Sequence, residues 1–316
     1  MTNKIKIFCG ENWQDYELLD TGEGEKLERF GPHTFVRPYE YAVWQKTLGE
    51  KEWEKADGKF WSSKVGTKAG WKMTSVQSST LHTKWEMEYK GIKFFAVPTP
   101  FRHLGFFPEQ AAHWDFIEKQ LLSVSPRSDL GKLPRSDLGG KVKFLNLFGY
   151  TGVASLFALR AGAEVTHVDA SKQVLTWAKE NQKLSGLEKL PMRVIEDDAM
   201  KFLEREIKRG NKYDAIIMDP PKFGRGPKGE VWKIEEMLPR LLALVQKVLS
   251  EKPLFVILTS YATDSSSLAL GYALSETMRN FNGQIETGEL CVLEKSNQRF
   301  ISLANTAVWN SVKVSL

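Results

Sequence analysis

The second part of the chain alternates between short apolar segments and longer amphipathic segments, and this alternation constrains the fold more than any other feature. Apolar runs predict strands at residues 144–148, 164–168, 192–195, 213–218 and 254–259. The other segments predict helices at residues 153–161, 172–184, 199–208, 235–249 and 266–280. Repeated strand and helix units require a mostly parallel sheet, to which β-rich stretches at 284–293 and 300–309 can add an antiparallel strand. We therefore expect an α/β fold with a doubly wound, mostly parallel sheet.

The first part of the chain has a different texture, in which aromatic and turn residues lie among short mixed segments such as residues 34–38 and 92–97. This pattern predicts a small β-rich N-terminal domain over residues 1–103, a candidate for substrate recognition, and a second domain over residues 104–316. Six tryptophans fall in the first domain: Trp13, Trp44, Trp53, Trp61, Trp71 and Trp85. Filling a thin core is the more common role for any one of them, and stacking on bases is the alternative.

The composition is that of an ordinary soluble globular protein, with 42% apolar and 26% charged residues in 316. No apolar window could span a membrane and the first residues form no signal peptide, so we expect a cytoplasmic protein without a membrane partner. Cys9 and Cys291 lie far apart and predict neither a disulfide framework nor a metal site. The net charge of +5 permits nucleic-acid binding without demonstrating it. A duplicated hexapeptide, PRSDLG at 126–131 and 134–139, is interpreted as a surface loop without assigned function.

Ligands of doubly wound sheets bind beyond the carboxyl ends of the strands, so the loops that follow the predicted strands are the candidate site. The first such loop, residues 146–152, contains Gly149 and Gly152, which let the backbone approach a ligand where a helix begins. The second strand ends at Asp169, about 20 residues beyond this loop, where a carboxylate can accept hydrogen bonds from both hydroxyls of a ribose. Capping the following helix is the alternative role of this residue.

The next two strand ends also carry acids. Asp197 and Asp198 follow the third strand, where one carboxylate can accept an adenine amino group and the other can cap the next helix. The fourth strand ends in Asp219-Pro220-Pro221, and the two prolines cannot continue a parallel ladder. Because acids line these loops and no GxxxxGK[ST] phosphate loop is present, the pattern favours an adenosine ligand without phosphates. S-adenosylmethionine fits, since its sulfonium is positive.

These segments resemble a known family. The stretches LNLFGYTGVASLFALRAGAEVTHVDAS, EDDAMKFL and MDPPKFGRG are similar to class I S-adenosylmethionine-dependent methyltransferases, which are Rossmann-like, and specifically to the branch of the bacterial large-subunit ribosomal RNA methyltransferases. Residues 104–110, LGFFPEQ, resemble a signature segment that this branch carries ahead of the core. The resemblance covers about residues 104–309 and is more specific for the cofactor than for the substrate.

The resemblance implies roles for individual residues. Cofactor binding falls to Phe107, Gln110, Asn146, Gly149, Tyr150, Thr151, Gly152, Asp169, Asp197 or Asp198, and Asp219. The reactive end of the cofactor is expected beside Asp219, Pro220, Pro221 and Phe223. The acceptor is expected to bind at Lys222, Phe223, Arg225, Lys228 and Tyr261, because cations and an aromatic side chain suit phosphate contact and base stacking. The alternative interpretation of the basic loop is a solvated surface loop without function. The alternative for Tyr261 is a residue that only lines the wall of the site.

The acceptor chemistry is narrowed by the cysteines. Methylation at cytosine C5 needs a cysteine nucleophile, which related enzymes carry after the fourth or fifth strand, but here residues 219–222 and 258–261 contain none. We therefore expect a methyltransferase that acts on a nitrogen of a ribosomal RNA base, with RNA as partner and no metal. A protein methyltransferase and a catalytically inactive RNA-binding protein remain alternatives, and the oligomeric state is open. A nicotinamide-dependent oxidoreductase would need a three-glycine fingerprint, which is absent.

Overall fold

The structure is a computed structural model that describes residues 4–61, 69–73, 84–124, 140–225, 231–261 and 266–311. The duplicated hexapeptide lies outside these described residues. Strands are β1 (Lys6–Cys9), β2 (Tyr16–Gly22), β3 (Glu25–Phe30), β4 (His33–Pro38), β5 (Gly58–Trp61), β6 (Gly70–Met73), β7 (Trp85–Tyr89), β8 (Ile92–Ala96), β9 (Lys143–Leu147), β10 (Glu164–Asp169), β11 (Met192–Glu196), β12 (Ala215–Met218), β13 (Phe223–Arg225), β14 (Val231–Lys233), β15 (Phe255–Ser260), β16 (Gln284–Leu293) and β17 (Phe300–Asn310). Helices are α1 (Glu50–Glu54), α2 (Ala111–Val124), α3 (Val153–Arg160), α4 (Lys172–Leu184), α5 (Ala199–Arg209), α6 (Ile234–Val248) and α7 (Ser267–Met278).

The chain divides into two compact units. The larger contains Ala112–Leu290 and Ser302–Leu316 together with Met1–Phe8, and the smaller contains Cys9–Ala111 and Cys291–Ile301. The predicted division at residues 103 and 104 differs from this in three places, because Met1–Phe8 belong to the larger unit, and residues 104–111 and the tip of the terminal hairpin belong to the smaller unit. The recognition role of the front domain stays a prediction.

An eight-stranded sheet, in the order β1-β16-β17-β15-β12-β9-β10-β11, organises the larger unit within the described residues. The strands from β15 to β11 are parallel, and β17 pairs with β15 in the antiparallel sense. The doubly wound, mostly parallel sheet with a terminal hairpin is therefore confirmed. The chain runs outward from β9 in one direction through β10 and β11 and then in the other through β12 and β15, so the switch point lies between β9 and β12.

Helices cover both faces of the sheet because the buried parallel strands are apolar on both sides. On one face Leu145, Ile216 and Val256 belong to a core that also includes side chains from α5, α6 and α7. On the other face Phe255 meets Phe116 of α2 with ring centroids 5.4 Å apart, and Trp114 stacks on Phe157 of α3. The site residues at the strand ends therefore stand on a rigid layered core.

The predicted elements agree with the structure to within one or two residues, with local exceptions. The strand predicted from residue 213 begins at Ala215, because Tyr213 instead bridges to Leu249 and its hydroxyl donates to Glu206. The segment after Pro221, where no strand is predicted, contains the ribbon β13–β14, whose two strands are antiparallel. The edge strand β1 was not predicted.

The smaller unit is built on a five-stranded sheet in the order β2-β3-β4-β5-β6 and the separate hairpin β7–β8. The terminal hairpin contributes to it, since the Lys295 N–H donates to Leu18 O at 2.8 Å and Ser296 Oγ donates to Asp20 at 2.6 Å. Its interior holds a buried ion pair in which Arg37 donates twice to Glu28 at 2.7 Å. Burial alone would raise the pKa of Glu28, but the charges of Arg37 and Lys26 lower it to about 2.

None of the helices in the described ranges is long and apolar enough to cross a membrane. The same residues contain no group of three or more His, Cys, Asp or Glu side chains arranged to hold a metal ion.

Candidate active site

The glycine loop lies at the switch point of the sheet, directly after β9. Its backbone is unusual, because Phe148 and Tyr150 adopt positive φ angles of 57° and 52° although neither is glycine. Gly152 has φ 86° and immediately precedes α3. Such left-handed residues persist only where the surroundings hold them, and they are common at ligand sites. The loop is therefore a preformed cradle whose shape is maintained by its neighbours.

A buried hydrogen-bond chain holds the cradle from below. Asn146 Nδ2 donates to Ser155 Oγ at 3.0 Å, and Ser155 Oγ lies 3.0 Å from His167 Nδ1. His167 Nε2 lies 3.2 Å from the Tyr150 carbonyl oxygen, which can only accept, so this nitrogen carries the proton and Nδ1 accepts from Ser155. Burial lowers the pKa of His167 to about 4, which keeps the ring neutral as this network requires.

Two further contacts secure the second half of the loop. Asn181, buried in the middle of α4, donates from Nδ2 to the Thr151 carbonyl at 2.9 Å. A Cβ atom on Gly152 would lie 3.0 Å from the Cβ of Ala178, which is also on α4. Helix α4 therefore packs closely against the loop at residue 152. Glycine suits this residue because it needs no space for a Cβ atom and readily adopts a positive φ angle.

Asp169 links the end of β10 to the glycine loop. Its Oδ2 accepts from the Tyr150 N–H at 3.0 Å and its Oδ1 accepts from the Ser171 N–H at 2.9 Å. Burial raises the pKa of Asp169, while these hydrogen bonds lower it in part. The burial of Tyr150, together with the nearby charge of Asp169, raises the pKa of the Tyr150 hydroxyl to about 12. A carboxylate offers about four acceptor positions, so Asp169 can still accept from a hydroxyl donor of a ligand.

The two acids after β11 have different surroundings. Asp198 is the N-cap of α5, where Oδ1 accepts from the Lys201 N–H at 3.0 Å. Asp197 forms an ion pair with Arg205, and its N–H donates to the Asp169 carbonyl at 3.0 Å. The structure thus gives the capping role to Asp198, which leaves Asp197 as the candidate for a ligand.

Asp219 begins the turn after β12, next to the strand that leads into the glycine loop, since Met218 pairs with Leu147. Its Oδ1 atom is buried. Pro220 and Pro221 follow, and the Pro221 carbonyl accepts from Trp232 Nε1 at 2.6 Å. The Trp232 ring lies 5.2 Å from the ring of Phe148 in the glycine loop. One tryptophan therefore connects the acidic turn with the cradle.

The ribbon β13–β14 follows the two prolines and carries the predicted acceptor residues. Phe223 stands opposite Lys233 and is 56% exposed. Lys222 is exposed, and its carbonyl accepts from the Ile234 N–H at 3.1 Å. The side chain of Arg225 and the whole of Lys228 lie outside the described part of the chain. Tyr261 is half-buried and comes directly after β15, whose carboxyl end lies beside that of β12.

Phe107 and Gln110 belong to the smaller unit. Phe107 precedes a short 3₁₀ helix, Pro108–Gln110, and its ring lies 4.6 Å from that of His103. Gln110 is buried, and its N–H donates to the Phe107 carbonyl at 3.1 Å. Their predicted role at the cofactor stays a prediction.

The chemistry of the four strand-end loops suits a cationic nucleoside. Residues 146–152, 169–171, 196–199 and 219–221 contain five acids and no lysine or arginine. Backbone N–H groups and carboxylates can hold hydroxyl and amino groups, whereas a pyrophosphate would meet uncompensated negative charge. The donor set therefore fits adenosine attached to a positive sulfur.

Comparisons with known proteins agree with this geometry. The crystal structure of an S-adenosylmethionine-dependent methyltransferase from Agrobacterium tumefaciens is 39% identical, with coverage of 97% of this chain and 94% of that one and a TM-score of 0.86. The chain belongs to the S-adenosylmethionine-dependent methyltransferases. S-adenosylmethionine is the methyl donor that defines this family, and residues 133–265 also match a family described as conserved hypothetical protein 95.

Curated relatives of this methyltransferase cover less of its length. Ribosomal RNA large subunit methyltransferase K/L from Desulfotalea psychrophila is 36% identical over 132 residues, which are 41% of this chain and 18% of that protein. Ribosomal RNA large subunit methyltransferase K from Neisseria meningitidis serogroup B is 37% identical over 119 residues, which are 36% of this chain and 33% of that protein. The alignments thus span only 18% and 33% of the lengths of these two relatives. The resemblance inferred from the motifs is confirmed.

Several residues that shape the site of this methyltransferase were missed by sequence reasoning: Ser155, His167, Asn181, Arg205 and Trp232. Two of them had a detectable signal, because a histidine inside a buried strand and an asparagine inside a helix both need polar partners. Trp232 and Arg205 carry no such signal, because an exposed-type cation and an aromatic residue do not by themselves indicate which residue they contact; their partners Pro221 and Asp197 lie 11 and 8 residues earlier in the chain.

Proposed function

We propose that this methyltransferase transfers a methyl group from S-adenosylmethionine to a nitrogen atom of a base in ribosomal RNA. The observation that carries the proposal is Phe223, an aromatic side chain that is 56% exposed and lies four residues after Asp219, at the switch point of the sheet. An unstacked base can rest on such a ring while its edge faces the end of β12.

The cofactor would be held by the loops described above. The glycine loop and Asn146 would contact it from β9, Asp169 would accept hydrogen bonds from the ribose, and Asp197 would accept one from the adenine amino group. Phe107 and Gln110 are added to this set by the motif resemblance. When bound, S-adenosylmethionine supplies a methyl group on a positively charged sulfur.

Asp219 and the two prolines have the chemistry needed at the reactive end. The carboxylate of Asp219 accepts hydrogen bonds from amino groups and so orients the lone pair of the acceptor nitrogen. Pro220 and Pro221 restrict the backbone that carries it, and Trp232 fixes Pro221 further. Placement of the nucleophile is the main contribution required, because a sulfonium methyl needs little activation. Phe223 and Tyr261 would stack on the base, and Lys222, Arg225 and Lys228 would contact phosphates.

Nitrogen is favoured over cytosine C5 because of where the two cysteines lie. Cys291 lies within β16, two residues before its end, and is only 2% exposed, so its sulfur cannot attack a base. Cys9 is the last residue of β1 and half-buried, and burial raises the pKa of its thiol, which makes the reactive thiolate scarcer. Neither follows β12 or β15, the strands after which a C5 nucleophile is expected.

RNA is favoured as the acceptor by the names of the curated relatives and by the net charge of +5. Ribosomal RNA further implies that the enzyme works in the cytoplasm. A protein side chain is the competing acceptor, and a protein that binds RNA without catalysis is the competing activity.

The proposal is tested by incubating the full chain with methyl-labelled S-adenosylmethionine and total RNA, large ribosomal subunits or total protein. We expect label in RNA and an N-methylated nucleoside after digestion and mass spectrometry. Asp219→Asn should lower the rate about a hundredfold, the loss typical of a misplaced reacting group. The matched control is Glu164→Gln, which removes an exposed carboxylate at the opposite end of β10.

The other outcomes separate the alternatives. Label found only in protein would move the acceptor to a side chain. A product methylated at C5 would contradict the choice of nitrogen. Cofactor binding by calorimetry without transfer to any of the three acceptors would favour the inactive RNA-binding protein.

A further inference from the structure

Five of the six tryptophans of the smaller unit have structural roles. Trp13, Trp44 and Trp71 donate from Nε1 to backbone carbonyls of Glu88, Thr21 and Thr99, respectively. Trp53 is buried and donates to Asp20. Trp85 stacks on Phe35 with ring centroids 6.0 Å apart. The sixth, Trp61, is 40% exposed, which sets it apart from the others and reopens the question of base stacking for this one residue.

Trp61 stands on the outer face of the antiparallel pair β5–β6. Phe60 and Trp71, paired across the two strands, point inward, and Trp71 lies 5.3 Å from Phe35 between ring centroids. Trp61 is paired with Gly70, and its ring covers that glycine, because a Cβ there would lie 3.4 Å from the indole. The ring is thus supported on one side and accessible from outside.

Two lysines share this outer face. Lys59 lies two residues before Trp61 on β5 and is paired with Lys72 on β6, and both are exposed. Directly opposed cross-strand residues have Cβ atoms about 5 Å apart, and like charges at that distance repel. Glu25 contacts Lys59 at 2.5 Å and also Lys46, whereas no carboxylate in the described part of the chain forms an ion pair with Lys72. The face keeps excess positive charge beside an exposed indole.

We propose that the outer face of β5–β6, formed by Lys59, Trp61 and Lys72, binds a single-stranded segment of the RNA substrate. One base stacks on Trp61, and the neighbouring phosphates bind the two lysines. Single-stranded RNA is the occupant that fits best, because its bases are free to stack on an aromatic ring and its backbone supplies the missing negative charge. This inference rests on the proposed function, and it assigns the recognition role of the smaller unit to a defined surface.

Fluorescence anisotropy of the full chain with a fluorescein-labelled, single-stranded RNA oligonucleotide of mixed sequence tests the surface without requiring methyl transfer. Trp61→Ala should weaken binding about tenfold or more, whereas Trp61→Phe should keep most of the affinity because stacking is retained. Lys72→Gln should reduce the slope of log Kd against log salt by about 0.7, the loss of one phosphate contact. With ribosomal RNA as substrate, Trp61→Ala should raise KM and leave kcat and cofactor affinity unchanged.

Lys93→Gln is the matched control, since Lys93 is exposed in the same unit but lies on β8, in the hairpin that is separate from the sheet containing β5 and β6. Unchanged RNA affinity in both Trp61→Ala and Lys72→Gln, or no binding of the oligonucleotide by the wild type, would overturn the proposal. Lys72→Gln alters only an exposed side chain, so it decides the matter even if Trp61→Ala does not fold. If the protein binds RNA in a way that depends on Trp61 but transfers no methyl group, the proposed methyltransferase activity is refuted, while the proposed RNA-binding surface on β5–β6 is supported.

Discussion

Gly149 has room for a hydrogen atom and nothing larger. A Cβ built on it would lie 2.5 Å from His167 Nδ1, and this ring is held by Ser155 on one side and by the Tyr150 carbonyl on the other. The imidazole cannot move away without breaking a hydrogen bond in a buried site, where an unsatisfied polar group is costly. The glycine and the histidine therefore depend on each other.

Gly149→Ala should weaken S-adenosylmethionine binding about tenfold or more, because overpacking of about 1–3 kcal/mol would be relieved by shifting the cradle. Isothermal titration calorimetry with the cofactor measures this directly. Gly140→Ala is the control, since a Cβ at that position would meet no atom within 4 Å. Equal affinity in the two variants would show that the cradle does not contact the cofactor.

Two adjacent acids, Asp197 and Asp198, precede helix α5 and have different roles. Asp198 satisfies an N–H group of the first turn that would otherwise have no partner within the helix, while Asp197 faces Arg205. Because the two residues are neighbours of the same type, they form a matched pair for separating stability from ligand binding.

Asp198→Ala should lower the free energy of unfolding by about 1 kcal/mol and leave cofactor affinity unchanged, whereas Asp198→Asn should restore stability because asparagine also caps helices. Asp197→Ala should do the opposite, with reduced cofactor affinity and nearly unchanged stability. Urea denaturation and calorimetry on all three variants distinguish these effects. A loss of cofactor affinity confined to Asp198→Ala would reverse the assignment.

Buried histidines make the stability of the whole molecule depend on pH. His113 and His167 are fully buried, and burial lowers their pKa values to about 3 and about 4. His113 Nε2 lies within hydrogen-bond distance, 3.0 Å, of Thr306 Oγ1. In the unfolded chain a histidine titrates near pH 6.5. Between these values the unfolded state binds more protons, so the folded state loses stability as the pH falls below about 6.5.

Each of the two histidines should cost about 2 kcal/mol of unfolding free energy between pH 7 and pH 5. This range lies above the ordinary titration of carboxylates, so acid groups contribute little to the change. Urea denaturation at a series of pH values gives the slope, and His113→Gln should reduce it. An unfolding free energy that is flat from pH 7 to pH 5 would contradict the prediction.

The sheet of the larger unit could be predicted because buried parallel strands are continuous apolar runs, as in residues 215–218, and each is followed by a helix with its own period. The acids at the strand ends could be predicted for the same reason, since the topology brings all carboxyl ends to one edge. The β13–β14 ribbon could not be predicted, because Phe223-Gly224-Arg225 has no strand-like pattern. The polar network around His167 depends on partners from three separate segments.

The terminal hairpin determines when each unit can be completed during translation. Strand β17 lies inside the large sheet, between β16 and β15, and the tip of the same hairpin supplies the partners of Leu18 and Asp20 in the smaller unit. Residues 9–111 leave the ribosome long before residues 291–310, so until the hairpin emerges the large sheet lacks β17, and Leu18 and Asp20 lack their hydrogen-bond partners in the hairpin. Both units therefore acquire their last contacts only when the hairpin has been synthesised. A chain truncated before the hairpin lacks contacts in each of the two units.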